Sequence, residues 1–95
     1  MKKIKLKDLM LYLDSLLEIN DFKDHSPNGL QVEGNASIEK IVTGVSASLE
    51  LFNHAKEENA DVIIVHHGMF WDFDTRVIQG SVKERLSLLL KNNIS

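Results

Sequence analysis

Cysteine is absent from the chain. Its absence excludes a disulfide framework and any thiolate metal site, so a bound metal would have to be held by histidine and carboxylate. Proline occurs once, at Pro27, and there are no repeats, low-complexity tracts or linkers. No apolar run approaches the ~20 residues that a membrane-crossing helix needs. The lysines of Met1-Lys2-Lys3-Ile4-Lys5 resemble the start of a signal peptide, but Lys7, Asp8 and Asp14 leave no room for its apolar segment. Charge of one sign is scarce as well. A net charge of −3 offers no basic face to nucleic acid. The expected setting is cytoplasmic, with no membrane or nucleic-acid partner.

What is present is the composition of an ordinary globular protein, 43% hydrophobic and 26% charged over 95 residues, enough for one domain with a modest core. Leu6, Leu9, Met10, Leu13, Leu16 and Leu17 recur at helical spacing, and this helix fades by Asn20-Asp21. Asn28-Gly29, after Pro27, reads as a turn. Leu30-Gln31-Val32-Glu33 alternates like a short strand. Residues 38–45 are β-branched and apolar enough for another. Ser46-Ala47-Ser48 can cap a helix that buries Leu49, Phe52 and Ala55, with Asn59 as its exit. The run Asp61-Val62-Ile63-Ile64-Val65 is continuously apolar after its first residue, the mark of a strand covered on both faces. Strand, helix and strand in this compass predict a βαβ unit with parallel strands and a right-handed crossover. A helix over 82–91, closed by Asn92-Asn93, completes an α/β fold of parallel strands flanked by helices. Ile94-Ser95 then reads as the start of a further strand, so the chain is expected to be a fragment of a longer one.

The residues that carry chemistry come directly after the apolar run. His66-His67, followed by Gly68, place two imidazoles at the carboxyl end of a buried strand, where ligands of open α/β sheets collect. Imidazole ligates divalent transition metals and titrates near neutral pH. Neighbouring strand residues point to opposite faces, so this pair chelates one ion poorly but can serve two adjacent ions, or one ion and a second group that supports its ligands. The alternative is a pair of loop histidines without a role.

Other candidates have simpler readings. Asp72 and Asp74 read as solvated loop residues rather than missing ligands. Phe70 and Trp71 read as anchors of the loop, with one ring near the mouth of the site. The hydroxyls of Thr43-Gly44-Val45-Ser46-Ala47-Ser48 could cradle a phosphate at a helix N-terminus, but capping explains Ser46 and Ser48 as well. His25 and His54 have no partners in the sequence, and Lys56-Glu57-Glu58 is a solvated helix face.

Three blocks carry a resemblance: residues 27–34 (PNGLQVEG), residues 41–48 (IVTGVSAS) and residues 65–71 (VHHGMFW). In order and spacing they are similar to the N-terminal part of the GTP cyclohydrolase 1 type 2, or NGG-one-interacting-factor-three-like, family of dinuclear-metal proteins. Arg85-Leu86 in the last helix also matches, so the resemblance covers nearly the whole chain. It implies an α/β fold of two similar halves, of which this chain is the N-terminal portion. It also implies ring-shaped homohexamers and two divalent metal ions per full site, with His66 and His67 as the first protein ligands. Zinc, manganese or iron would suit such a site. The remaining ligands in that family are an Asp in a His-x-x-x-Asp segment just after the position of Ser95, and a His and a Glu near the C-terminus. None of these is in this sequence. The activity implied is metal-dependent hydrolysis of a nucleotide or phosphoester. The alternative is a non-catalytic metal-binding scaffold or interaction protein.

Overall fold

The computed structural model describes residues 3–71, 74 and 76–95. Its elements in chain order are β1 (Ile4–Lys5), α1 (Leu6–Leu16), a short 3-10 turn (Ile19–Asp21), β2 (Ser37–Ile38), β3 (Ile41–Ser46), α2 (Leu49–Glu57), β4 (Val62–His67) and α3 (Gly80–Lys91). β3 and β4 pair in parallel, from Ile41 opposite Val62 to Ser46 opposite His67, with α2 as the crossover. This is the expected βαβ unit. Ser48 starts α2 as its cap, accepting a hydrogen bond from the Leu51 N–H at 3.1 Å, and Asn59 ends it in the left-handed region at φ 58°.

β4 is covered on both faces. Val62 and Ile64 pack with Leu6, Leu9 and Ile38 on the side of α1. Ile63 and Val65 pack with Phe52, Leu89 and Ile94 on the side of α2 and α3. Side chains alternate along a strand, so a run apolar at every position is what this double burial requires.

Four sequence expectations are corrected. The strand read over residues 38–45 is two strands: β2 pairs antiparallel with β1, and β3 pairs with β4. The break has a specific cause, because the Asp61 carboxylate accepts the N–H groups of Glu39 at 2.9 Å and Lys40 at 3.1 Å. Leu30-Gln31-Val32-Glu33 is loop rather than strand. Its alternation buries nothing like a strand face, and its central residue uses a side-chain amide as its anchor. The first helix ends at Leu16, because Glu18 turns left-handed at φ 51°. The last helix starts two residues early, at Gly80.

The chain end also takes a place beside β4. Ser95 donates its N–H to the Asp61 carbonyl at 3.0 Å and accepts from the Ile63 N–H at 2.8 Å. That is one rung of a parallel ladder on the side of β4 away from β3. Ile94-Ser95, read as the start of a strand, thus makes a strand-like pair of hydrogen bonds through Ser95 but forms no strand.

Asp61 consequently joins three segments, and its titration has a predictable sign. Partial burial acts to raise its pKa, but the N–H groups of Glu39 and Lys40, the Asn35 amide and the Lys3 charge outweigh burial and lower it. A carboxyl whose folded pKa lies below its unfolded value stabilises the fold fully above the unfolded pKa, about 3.9 for Asp. That contribution is lost as pH falls through the lower folded value. The denaturation midpoint of the wild-type chain should therefore drop in acid more steeply than that of Asp61→Asn. Parallel acid profiles for the two proteins would show that the carboxylate contributes nothing.

Candidate functional site

β4 does not stop short of the histidines but runs through both of them. His66 lines a cavity of about 580 Å³ on the flank of β4, enclosed by α1, the strand and the loop of residues 22–32. His67 does not line it. The two positions thus begin on different sides of the strand, as alternation demands.

The rings do not stay apart. Their centroids lie 4.4 Å from each other, with planes tilted by 58°. Both side chains are exposed, and at the end of the strand the rings can lean toward each other over the terminal backbone. Neither imidazole has a hydrogen-bond partner among the described residues, so their nitrogens are open to a ligand. No cluster of three or more His, Asp or Glu side chains that could hold a metal occurs among the described residues.

The turn after the doublet is closely fixed. Met69 is buried in the main core, and Phe70 packs against that core as the anchor its position suggested. Trp71 is the ring near the mouth: its centroid lies 5.9 Å from that of His67, and its indole N–H donates to the Gly68 carbonyl at 3.1 Å. Asp74 is a loop residue whose carboxylate accepts the Trp71 N–H at 3.0 Å. Asp72 and Phe73 lie outside the described residues.

Across from this turn is a group that motif reading missed. The Gln31 Oε1 accepts the N–H of Met69 at 2.8 Å and of Phe70 at 3.4 Å. Its Nε2 donates to Ser26 Oγ at 3.0 Å and to the Pro27 carbonyl at 2.9 Å. Ser26, the buried polar residue of the described chain, donates its hydroxyl to the Phe70 carbonyl. One signal in the sequence could have found this group, an amide set between Leu30 and Val32 in an otherwise apolar stretch. Gly68 belongs to the same contact, because a Cβ there would meet the Gln31 carboxamide at 2.5 Å.

Of the remaining candidates, only Ser46 adjoins the doublet, as the ladder partner of His67. Ser48 is a helix cap, as read. Thr43 and Ser46 are exposed on β3, His54 is exposed on α2, and His25 is exposed in the loop before Pro27. Two blocks of the sequence resemblance do meet at the site: residues 27–34 reach residues 65–71 through Gln31. Thr43 to Ser48 adjoins them through the ladder, with the Ala47 N–H donating to the His67 carbonyl at 2.9 Å.

A parallel βαβ core flanked by helices, with two exposed imidazoles at the carboxyl end of β4 beside a cavity, defines an α/β protein. Residues 4–95 match the family described as Duf34/NIF3 (NGG1p interacting factor 3), and the chain belongs to that family. A curated relative from Archaeoglobus fulgidus, called GTP cyclohydrolase 1 type 2 homolog, is 45% identical over 92 residues, which are 97% of this chain and 37% of the relative. A solved structure described as protein ybgI, of unknown function, superposes with a TM-score of 0.93 at 44% identity, covering 96% of this chain and 37% of the other. A protein from Thermus thermophilus does so with a TM-score of 0.91 at 42% identity, covering 96% and 38%. The chain thus spans little more than a third of the length of these relatives.

Proposed function

We propose that His66 and His67 supply part of a divalent-metal site belonging to a metal-dependent hydrolase of the GTP cyclohydrolase 1 type 2 kind. The observation that carries this reading is the pair of exposed imidazoles, with rings 4.4 Å apart and no competing hydrogen bonds among the described residues, at the carboxyl end of β4. Rings that converge so closely can direct nitrogens toward one ion or toward two adjacent ions.

The donor set fits zinc, manganese or iron, all of which accept imidazole. A bound divalent ion would supply a Lewis acid and a water of lowered pKa for attack on a nucleotide or phosphoester. The chain's own part is to hold two imidazoles close together and to wall the cavity beside them. Two ligands are fewer than the three protein ligands of a catalytic zinc site, so on this reading the others come from the segments that follow this region in the longer family members, which the resemblance implies assemble as homo-oligomers. The curated relative's name supports the hydrolase class.

The test is a titration of the chain with Zn²⁺ or Mn²⁺ by calorimetry near pH 7.5, beside His66→Ala and His67→Ala. Saturable binding by the wild type is expected, at least tenfold weaker in either variant. Binding that survives loss of both histidines would refute the assignment. A non-catalytic scaffold would bind metal equally, so turnover of GTP or a model phosphoester by a longer family member, abolished by the matching His→Ala change, separates the two.

A further inference from the structure

The hydrogen bonds of Gln31 have a single geometric effect. Its carboxamide oxygen holds the N–H groups of Met69 and Phe70, two and three residues past His67. Its nitrogen holds Ser26 and Pro27 on the facing loop. Ser26 returns to the Phe70 carbonyl, so the two segments close a ring of hydrogen bonds. Gly68 is the residue between the doublet and this ring, and its lack of a side chain leaves the space that the carboxamide fills. Only a side chain with an acceptor and two donors on one planar group satisfies all four partners. Glutamate keeps the acceptor but sets an oxygen against the Pro27 carbonyl, and asparagine is one methylene too short.

From this we infer that Gln31 is a positioning residue for the histidine doublet. By fixing the turn of residues 68–71 from across the cavity, it sets the mutual approach of the His66 and His67 rings and the seat of the Trp71 ring beside His67. Trp71 is joined to the same turn through its indole N–H and the Gly68 carbonyl. The inference rests on the metal-site reading for its use, but its geometric content stands apart from that reading.

The test compares Gln31→Ala and Gln31→Glu with Ile38→Val, a core change at the remote β1–β2 pair that lowers stability without touching the turn. Two readouts are taken on the 95-residue chain: ring-to-ring nuclear Overhauser contacts of His66, His67 and Trp71, and affinity for Zn²⁺. The expected result is loss of the ring contacts in Gln31→Ala and about tenfold weaker Zn²⁺ binding, the size of effect seen when groups supporting metal ligands are removed. Gln31→Glu should fall between it and the wild type, and Ile38→Val should leave both readouts unchanged. Ring contacts that persist in Gln31→Ala would overturn the inference, as would equal losses in Ile38→Val. A wild-type chain that binds no Zn²⁺ would defeat the metal reading alone, because the ring contacts decide the role of Gln31 without metal.

Discussion

Replacing Phe52 with alanine should cost about 3–5 kcal/mol, as for truncation of a fully packed aromatic. Phe52 is 3% exposed and packs with Ala47, Met69, Leu89 and Ile94. Those partners come from the cap of α2, the turn after β4, α3 and the chain end, so one ring ties four segments to the sheet. A domain of this size has roughly 5–14 kcal/mol of stability in total, so the variant should lie near or below its folding threshold at physiological temperature. Chemical denaturation followed by circular dichroism measures the loss. A drop under about 1 kcal/mol, the size of an ordinary surface substitution, would mean that the neighbours collapse into the space and the core is softer than described. Phe52→Leu retains much of the volume and should recover more than half of the loss.

The second large effect is expected at Gly34. A Cβ there would strike the backbone carbonyl oxygen of Asn93 and come within 2.7 Å of the Ile94 carbonyl carbon. Main-chain atoms cannot rotate aside as a flexible side chain can, so the two segments would have to part. Parting them breaks the bond from the Gly34 N–H to Ser95 Oγ at 2.7 Å and that from the Asn35 N–H to the Asn93 carbonyl at 2.8 Å. Overpacking and two lost hydrogen bonds together give about 3 kcal/mol for Gly34→Ala. Amide exchange at Gly34 and Asn35 separates this cause from general weakening, because those two sites should lose protection before β3 does. Unchanged protection there would show that the close approach does not constrain the chain.

These two positions also show where sequence reading works and where it stops. Phe52 was legible because α2 repeats its apolar residues at helical spacing, the same logic located α1 and α3, and an unbroken apolar run located the doubly buried β4. Gly34 was legible only as a breaker, since the contact it permits is with Asn93 and Ile94, far along the chain. The split between β2 and β3 was hidden for the same reason: the carboxylate that captures the Glu39 and Lys40 N–H groups belongs to Asp61. Leu30 to Glu33 misled because period-two alternation cannot tell a strand from a loop whose middle residue is anchored by its side chain.

At the site, the doublet was visible from residue types and position, and the three blocks only as a pattern in order and spacing; that they meet was not. The approach of the rings and the Ser26–Gln31 network were not visible either. They depend on rotamers and on a loop crossing to a strand end that no local pattern encodes.

The attachment of Asp61 makes the two ends of β4 unequal. At the amino end its carboxylate holds the start of β3, its N–H reaches the Lys40 carbonyl at 2.8 Å, and its carbonyl holds Ser95. At the carboxyl end the imidazoles are exposed, and the strand is held by the Ala47 N–H on the His67 carbonyl and by the Gln31 carboxamide on the turn beyond it. A carboxylate thus gathers the neighbours of β4 at one end and a carboxamide gathers them at the other, and the imidazoles lie between those two attachments.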